Sequence, residues 1–301
     1  YLDRVPDSAA VNEAVEEAKG IKGGAFAGLV NGVLRSLARQ KESLSLPSGG
    51  QPDKLSLRFS IAQPLVEMLM EQYPELYRDI LPGLDTKAPL SLFVNAVISS
   101  PEEVGRLTGA IETKTPGSML LPGGEVTKLD GFAQGAFFVV GRSSAFAVQA
   151  AAPQSGELVL DLCASPGGKS FLCASLMMDQ GNILAFDVTD YKIELIRQSA
   201  ERLGFSSVLA ANSDATNYNP MLREGGDLVL CDVPCSAIGT LHKQPEIRYK
   251  NPADFQALPL LQHAILSNAC AYVKPGGRLL YTTCTLNRSE NYEVVRAFLS
   301  Q

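Results

Sequence analysis

Hydrophobic positions recur at helical spacing through the first forty residues. The first stripe starts after Ser8, its predicted cap, and consists of Ala9, Val11, Ala14, Val15 and Ala18. The second stripe consists of Phe26, Leu29, Val30, Val33, Leu34 and Leu37. Stripes of this period predict two helices that pack through their apolar faces. Residues 41–53 are rich in Ser, Pro and Gly and predict a linker, so we place a helical segment at residues 1–45.

Residues 52–130 show a mixed pattern. The strand-like run 90–98 precedes Ser100, Pro101 and Glu103, an order in which Ser caps a helix, Pro takes its first position and Glu closes a capping box. A strand followed by a capped helix predicts a small α+β domain over residues 52–130.

From residue 131 to residue 301 the pattern changes to short β-rich runs separated by stretches long enough for a helix. The runs are 158–162, 182–186, 207–210, 228–231 and 278–282. This alternation predicts an α/β domain with a parallel, doubly wound sheet covered by helices on both faces. Ligands of such sheets lie beyond the carboxyl ends of the strands, where the strand order reverses. The residues that follow each run are therefore the candidates for a functional site.

Composition and charge narrow the class of protein. Of the 301 residues, 46% are hydrophobic and 19% are charged, which excludes wholesale disorder, and the longest uncharged runs, such as 131–141, are too short to cross a bilayer. The opening residues Tyr1, Asp3 and Arg4 form no apolar signal segment, so we expect a cytoplasmic protein and a fragment of a longer chain. A net charge of −6 argues against a broad nucleic-acid-coating surface and leaves room for a local basic track.

The cysteine content predicts free thiols and no metal site. Six cysteines in a chain of this length are too few for a disulfide scaffold. The sequence has no Cys-x-x-Cys pair and only two histidines, His242 and His263, so the usual spacing of zinc ligands is missing.

The segment after the first β-rich run predicts a cofactor site. Residues 161–169 read DLCASPGGK, and two glycines with a proline at a strand-to-helix turn let the backbone approach a ligand closely. The segment is neither a Walker loop nor Gly-x-Gly-x-x-Gly. Asp187 follows the second run, 19 residues beyond Gly168, near the offset of a ribose-binding carboxylate, and Asp214 follows the third run. Together these residues predict a nucleoside-containing cofactor.

Two thiols and a carboxylate follow the fourth and fifth runs. Cys235 and Asp232 come after the fourth run, and Cys284 comes after the fifth. If these two strands are neighbours, about 4.8 Å apart, both thiols face one pocket beside Asp232. The other four cysteines are assigned to packing as small buried hydrophobic residues; they are Cys163, Cys173, Cys231 and Cys270.

A thiolate beside a nucleoside cofactor suits methylation of cytosine. Carbon 5 of cytosine is a poor nucleophile, but a thiolate that adds at carbon 6 makes carbon 5 enamine-like and able to take a methyl group. A carboxylate near ring nitrogen 3 supplies the hydrogen bond or proton that stabilises the adduct. A second thiol can assist the loss of the carbon-5 proton and the release of the enzyme.

The same segments resemble a known family. LDLCASPGGKS, VLCDVPCSAIGT, HKQPEIRYK and GGRLLYTTCT are similar to the RNA 5-methylcytosine methyltransferases that use S-adenosylmethionine. The segments PDSAAVNEAVEEAK and FAGLVNGVLRSLAR resemble the end of the NusB-like domain of the bacterial 16S rRNA members, the Sun/Fmu (RsmB) subfamily. The resemblance implies a Rossmann-like methyltransferase domain at 131–301, an RNA-docking role for 52–130 and a NusB-like remnant at 1–45. It also implies methylation of carbon 5 of a cytosine in 16S rRNA, either naked or within an assembling small subunit, with no membrane or metal partner.

The family pattern also implies a role for each matching residue. Cys284 is the nucleophile, Cys235 is needed for product release, and Asp232 contacts the base and borders the cofactor. Asp187 binds the ribose and Asp214 the adenine edge, and Lys169 reaches the active centre. The turn that holds the methionine part of the cofactor consists of Cys163, Ala164, Ser165, Pro166, Gly167, Gly168 and Lys169.

The chain departs from the family pattern at three places. Val140-Gly141 stands where the family has Gln-Asp, and Phe93 stands where it has the Arg of Arg-Val-Asn. The chain ends at Gln301, before the family's closing β-hairpin, which suggests a truncation. We further predict that RNA contacts the basic segment beside the catalytic loop, namely His242, Lys243, Arg248, Tyr249 and Lys250.

Two other functions stay open on the sequence alone. A catalytically silent RNA-binding or ribosome-assembly factor can keep the same scaffold, and the acidic net charge suits it. A methyltransferase acting on a protein or a small molecule needs the cofactor turn but not two facing thiols. Methyl transfer to carbon 5 of cytosine in rRNA distinguishes the three.

Overall fold

The computed structural model describes residues 5–21, 24–43, 45–86 and 89–300. The chain ends discussed above, Tyr1, Asp3 and Arg4 at one end and Gln301 at the other, lie outside these residues. The chain divides into two compact units, Tyr1–Arg58 and Phe59–Gln301. The finer division between 52–130 and 131–301 stays a prediction.

The first unit contains the two predicted helices, α1 (Asp7–Gly20) and α2 (Ala27–Gln40), which pack against each other. The prediction that Ser8 caps α1 is wrong. Pro6 occupies the cap position without a side-chain hydrogen bond, and Ser8 already lies in the first turn. The apolar stripe of α2 is not buried, since about half of each large side chain is exposed; the residues are Phe26, Leu29, Val33 and Leu37. The helix α3 (Pro52–Phe59) follows the linker and ends at the start of the second unit.

The second unit opens with two helices, α4 (Gln63–Gln72) and α5 (Tyr77–Asp85), which are followed by a small antiparallel sheet. A third helix, α6 (Pro101–Thr108), lies between strands of this sheet. The strands are β1 (Leu90–Val94), β2 (Ile111–Glu112), β3 (Ser118–Leu121) and β4 (Phe137–Val139), in the order β2-β3-β1-β4. Ser100 caps α6 as predicted, by accepting the Glu103 N–H at 3.3 Å. The Glu103 carboxylate instead accepts the Ser99 hydroxyl at 3.2 Å, so the predicted capping box is only half formed.

The rest of the second unit is a five-stranded parallel sheet with a Rossmann-like order. Its strands are β5 (Leu158–Asp161), β6 (Asn182–Asp187), β7 (Val208–Asn212), β8 (Gly226–Asp232) and β9 (Val273–Thr282), in the order β7-β6-β5-β8-β9. Its helices are α7 (Arg142–Ala151), α8 (Gly168–Leu176), α9 (Asp190–Leu203), α10 (Leu258–Tyr272) and α11 (Tyr292–Leu299). All five predicted strands are present, and the predicted parallel sheet is confirmed.

Alternation along the central strand explains the double winding. Val159 packs into a core shared with α7, α8 and α9, whereas its neighbour Leu160 packs into a second core shared with α10. Successive residues of a strand point to opposite faces, so an uninterrupted apolar strand must be covered on both sides. The strand order reverses between β5 and its neighbours β6 and β8, which places the expected ligand crevice at the end of β5.

The small sheet is packed onto this parallel sheet through buried aromatic and polar groups. Phe93 lies with its ring centroid 5.8 Å from that of Phe138, which in turn lies 6.1 Å from that of Phe171 on α8. Asn95 is fully buried, and its Nδ2 donates to the carbonyl oxygens of Gly135 at 3.0 Å and Leu203 at 2.8 Å. Phe93, which replaces the family's Arg, is therefore a core residue.

None of the described helices has the length and apolar character that a membrane span requires.

Candidate active site

The turn between β5 and α8 has a backbone that only glycine allows at one point. Gly167 has a φ of 103°, and a Cβ there would lie 2.4 Å from the Phe171 ring. The Ala164 N–H donates to the Phe186 carbonyl at 2.8 Å, and the Gly167 N–H donates to the Ala164 carbonyl at 2.6 Å. The turn is thus held against β6 on one side and against α8 on the other, with its backbone free to approach a ligand.

Asp187 and Asp214 follow the next two strands of the same edge. Asp187 is 6% exposed; its Oδ2 accepts the Ser165 N–H at 3.3 Å, and its Oδ1 lies 3.2 Å from the Lys192 ammonium. Asp214 is exposed, two residues beyond the end of β7. Hydrogen bonds from the Thr216 hydroxyl and N–H lower the pKa of Asp214. The structure therefore brings Asp187 against the predicted cofactor turn and keeps Asp214 on its outer rim.

Asp161 is a buried residue of this region that is not among the site residues predicted from the sequence. Burial raises its pKa to about 6, although the Ser170 hydroxyl donates to its Oδ2 at 2.7 Å. Its Oδ1 is buried without a hydrogen-bond partner among the described residues. Asp161 is the last residue of β5, so its bond to Ser170 fixes the first turn of α8 beside Lys169. A carboxylate at a strand end, nine residues before a serine, was the only signal in the sequence.

The two selected thiols meet at the ends of β8 and β9. These strands are neighbours in register Asp232↔Thr282, as the sequence reading required. The Sγ atoms of Cys235 and Cys284 lie 3.1 Å apart, and both cysteines are free. The Cys284 N–H donates to Cys235 Sγ at 3.3 Å, and the Gly239 N–H donates to the Cys284 carbonyl at 3.0 Å. The two loops are therefore tied together at the thiols themselves.

An ion pair connects the turn between β5 and α8 to the thiol loops. Lys169 Nζ lies 2.5 Å from Asp232 Oδ2, and the Thr282 hydroxyl donates to Asp232 Oδ1 at 2.7 Å. The Lys169 side chain is only 11% exposed, so water screens this pair weakly. Asp232 is held between a cation from α8 and a hydroxyl from β9, which fixes the direction of its carboxylate.

The close approach of the two thiols splits their ionisation. The hydrogen bond from Cys284 is the main cause that lowers the pKa of Cys235 to about 7, with the Cys284 and Ala237 N–H groups adding to it against the effect of burial. The same hydrogen bond, followed by burial, raises the pKa of Cys284 well above the ordinary thiol range. The pair thus holds one proton near neutral pH, on Cys284, and Cys235 is the acceptor.

Comparison with known proteins is consistent with this arrangement. A model of the 16S rRNA methyltransferase RsmB/F family matches residues 148–301, and a model of the NusB family matches residues 1–39. A probable ribosomal RNA small subunit methyltransferase B from Synechocystis is 35% identical over 99% of this chain and 70% of its own. The chain belongs to the RsmB/F family of 16S rRNA methyltransferases. The predicted family is therefore confirmed, and so is the predicted class of enzyme, an rRNA methyltransferase.

Solved structures support the fold of this RsmB/F chain. The crystal structure of PH0851 has a TM-score of 0.84 at 26% identity and covers 98% of this chain and 68% of its own. A methyltransferase homolog protein from Pyrococcus horikoshii has a TM-score of 0.74 at 27% identity, covering 84% and 83%. The Rossmann-like methyltransferase fold expected from the resemblance is confirmed.

The structure corrects one member of the basic segment. The Arg248 side chain is 12% exposed, and its guanidinium donates to the Phe59 carbonyl at 2.8 Å and to Asp85 Oδ1 at 2.9 Å. The prediction that Arg248 contacts RNA is wrong, because its planar donor groups are engaged by acceptors inside the second unit. Lys243, Tyr249 and Lys250 are exposed, and His242 is half-buried.

The remaining cysteines, with one exception, and Val140 of the departure at Val140-Gly141 are structural. Cys173 and Cys231 are buried and Cys163 is partly buried, whereas Cys270 is exposed on α10, so its assignment to the core is wrong. Val140 is buried, and its carbonyl accepts the Ser91 hydroxyl at 2.5 Å.

Among the described residues, no group of three or more His, Cys, Asp or Glu side chains is placed to hold a metal ion.

The coupling of the thiols predicts a specific pH profile for alkylation. In a Cys270→Ala background, the rate of iodoacetamide modification should rise with a midpoint near pH 7. Cys284→Ala removes the main hydrogen bond to Cys235, so the midpoint should rise toward the ordinary thiol value of about 8.5, and the rate at pH 7 should fall roughly tenfold. An unchanged midpoint in Cys284→Ala would show that the second thiol does not set the ionisation of the first.

Proposed function

We propose that this chain methylates carbon 5 of a cytosine in 16S rRNA through a covalent adduct between the base and Cys284. The observation that carries the proposal is the 3.1 Å approach of Cys235 and Cys284 beside the Lys169–Asp232 ion pair. Methylation through an adduct at carbon 6 needs a nucleophile, a polar group at ring nitrogen 3, and an acceptor for the carbon-5 proton. The ends of β8 and β9 supply all three.

We infer that S-adenosylmethionine is the cofactor and that the residues of the turn fit it. The methyl group, carried on a positively charged sulfur, is the electrophile that this cofactor supplies. The turn formed by Cys163, Ala164, Ser165, Pro166, Gly167, Gly168 and Lys169 is assigned to the methionine part, and Gly167 leaves no space for a side chain there. Asp187, buried against the turn, is assigned to the ribose, Asp214 on the rim to the adenine edge, and Asp232 to the border between cofactor and base.

Addition begins at Cys284, which loses its proton to solvent as its sulfur forms the bond to carbon 6. The electron pair of the ring double bond moves toward ring nitrogen 3, where the Lys169–Asp232 pair supplies a proton. Carbon 5 thereby becomes the nucleophile for the methyl group.

Release depends on Cys235. After methylation, the Cys235 thiolate takes the proton on carbon 5, the double bond between carbons 5 and 6 is restored, and the bond between carbon 6 and sulfur breaks. The proton on ring nitrogen 3 returns to the Lys169–Asp232 pair. Cys235 then gives its proton to the departing sulfur of Cys284 across 3.1 Å. Each residue thus ends in the protonation state in which it began.

The thiol pair also weighs against the two other functions. A catalytically silent RNA-binding or assembly factor has no use for a second thiol that lowers the pKa of the first. A methyltransferase for a protein or a small molecule uses the cofactor turn and does not require Cys284 beside Cys235.

We assign the approach of the RNA to the exposed part of the basic segment that follows the Cys235 loop. Lys243 and Lys250 are exposed cations and Tyr249 is an exposed ring on which a base can stack. The expectation that the rRNA is presented within an assembling small subunit belongs to this proposal; comparing methylation rates of naked 16S rRNA and of small-subunit particles tests it.

Asp187→Ala should weaken binding of S-adenosylmethionine. Loss of charge-assisted hydrogen bonds to a ribose costs about 1.5–3 kcal/mol, which corresponds to a roughly 10- to 150-fold lower affinity by calorimetry. Asp190→Ala is the matched control and should leave the affinity unchanged. Asp190 is an exposed carboxylate that accepts a hydrogen bond from Asn212 Nδ2 at 2.9 Å. If Asp187→Ala lost only thermal stability, Asp187 would serve the turn and not the cofactor.

The experiment that tests the covalent mechanism compares the two thiol variants with 16S rRNA and S-adenosylmethionine. Cys284→Ala should abolish both methylation and covalent attachment, because no carbon–sulfur bond forms. Cys235→Ala should allow addition and methyl transfer and then stall, leaving a protein–RNA adduct on a denaturing gel.

Cys270→Ala controls for thiol loss in general and should keep normal turnover without an adduct. An adduct in Cys284→Ala but not in Cys235→Ala would exchange the two roles. Retained activity with no adduct in either variant would remove covalent catalysis from the proposal.

A further inference from the structure

A fully buried carboxylate lies behind the two thiol loops. Glu290 ends a short 3₁₀ turn, Arg288–Glu290, six residues beyond Cys284, and none of its surface is exposed. Its Oε2 accepts the Ser236 N–H at 2.8 Å and Gln262 Nε2 at 3.1 Å. Its Oε1 accepts the Ser236 hydroxyl at 2.5 Å and Asn287 Nδ2 at 2.9 Å. All four contacts are donations to Glu290, which is the pattern of an ionised carboxylate.

These bonds reach the residues on either side of Cys235. Ser236, the next residue, is bound to Glu290 through both its N–H and its hydroxyl. Pro234, the preceding residue, has its carbonyl bound by Gln262 Nε2 at 2.9 Å, and Gln262 is itself bound to Glu290. The backbone that carries the Cys235 thiol is therefore held on both sides by one carboxylate and its partner.

The same network reaches Cys284 only indirectly. The Ser236 hydroxyl oxygen lies 2.7 Å from that of Thr285, the residue after Cys284. Since the Ser236 hydroxyl proton is used on Glu290, the Thr285 hydroxyl is the donor to Ser236. The Asn287 N–H in turn donates to Thr285 Oγ1 at 3.1 Å. A change at Glu290 therefore acts first on the loop of Cys235 and only through Ser236 on the loop of Cys284.

We propose that Glu290 is the positioning residue that holds Cys235 within reach of Cys284 and so controls release of the methylated RNA. This inference rests on the proposed covalent mechanism for its kinetic consequence. Glu290 touches neither thiol in the structure; it acts by fixing the backbone of residues 234–236. A buried polar network of this kind is rigid only while every member is bonded, so one altered member is expected to loosen the loop.

The test variant is Glu290→Gln, which keeps the volume of the side chain but turns an amide NH₂ group toward donors. With 16S rRNA and S-adenosylmethionine, single-turnover methyl transfer should stay within about threefold of the wild type. Multiple turnover should fall at least about tenfold, with a protein–RNA adduct accumulating on a denaturing gel as for Cys235→Ala. Ser236→Ala, which removes only the hydroxyl bonds to Glu290 and Thr285, should give the same partition to a smaller degree and serves if Glu290→Gln does not fold.

A second measurement on the same variant does not depend on covalent catalysis. The midpoint of thiol alkylation in the Cys270→Ala background should rise above about pH 7. The reason is that the hydrogen bond from Cys284 is the largest cause of the lowered pKa of Cys235, whereas the negative charge of Glu290 opposes it only weakly. Displacing Cys235 from Cys284 therefore outweighs the loss of the Glu290 charge.

Asp179→Asn is the matched control. Asp179 likewise binds the N–H and the hydroxyl of one serine, Ser206, at 2.9 and 2.7 Å, but it lies in the loop after α8. The Asp179→Asn variant should have a lower midpoint of thermal unfolding, but it should form no adduct and keep the alkylation profile unchanged. If Glu290→Gln kept normal turnover and an alkylation midpoint near pH 7 while Cys235→Ala trapped RNA, the positioning role would be overturned. If Cys235→Ala trapped no RNA but the Glu290→Gln midpoint still rose, the covalent mechanism would fail and the positioning would stand.

Discussion

The parallel pairing of β8 with β9 is the constraint on which the rest of the site depends. Its register sets Asp232 opposite Thr282, and the loops that leave these two residues bring the Cys235 and Cys284 thiols to 3.1 Å. At that distance the two thiols cannot titrate independently. Cys235 therefore becomes a proton acceptor near neutral pH, and Cys284 keeps its proton. The ionisation of the two thiols therefore depends on the register of β8 and β9, which brings them together, and not on either cysteine alone.

A second constraint joins the cofactor turn to both neighbouring layers. Lys169, in the first turn of α8, reaches Asp232 at the end of β8, so the turn and the thiol loops share one ion pair. On the other side, Phe171 packs under Gly167 and in an edge-to-face contact with Phe138 of the small sheet. Close packing of this kind transmits displacement, since no free volume absorbs it. We therefore expect a shift of the small sheet to displace the turn and, through Lys169, also Asp232 beside the thiols.

Much of this could be predicted from local sequence, because it depends on local chemistry. β-rich runs separated by helix-length stretches predicted all five strands, and Pro and Gly after the first run predicted the turn at Gly167. Contacts between residues far apart in the chain could not be predicted. Arg248 resembles a surface cation until Phe59, 189 residues away, is seen to accept its hydrogen bond. Glu290 resembles any helix-flanking acid until its bonds to Ser236 and Gln262 are known.

A trapped complex between the chain and its RNA identifies the thiol that forms the bond to cytosine, which we propose to be that of Cys284 and not that of Cys235. In 16S rRNA containing 5-fluorocytosine, carbon 5 carries no proton to lose, so elimination is blocked and the adduct persists. After incubation with the wild-type chain and S-adenosylmethionine, digestion and mass spectrometry identify the modified peptide. We expect the nucleotide on the peptide that contains Cys284. A nucleotide on the Cys235 peptide, or no adduct at all with an RNA that is methylated when unfluorinated, would contradict it.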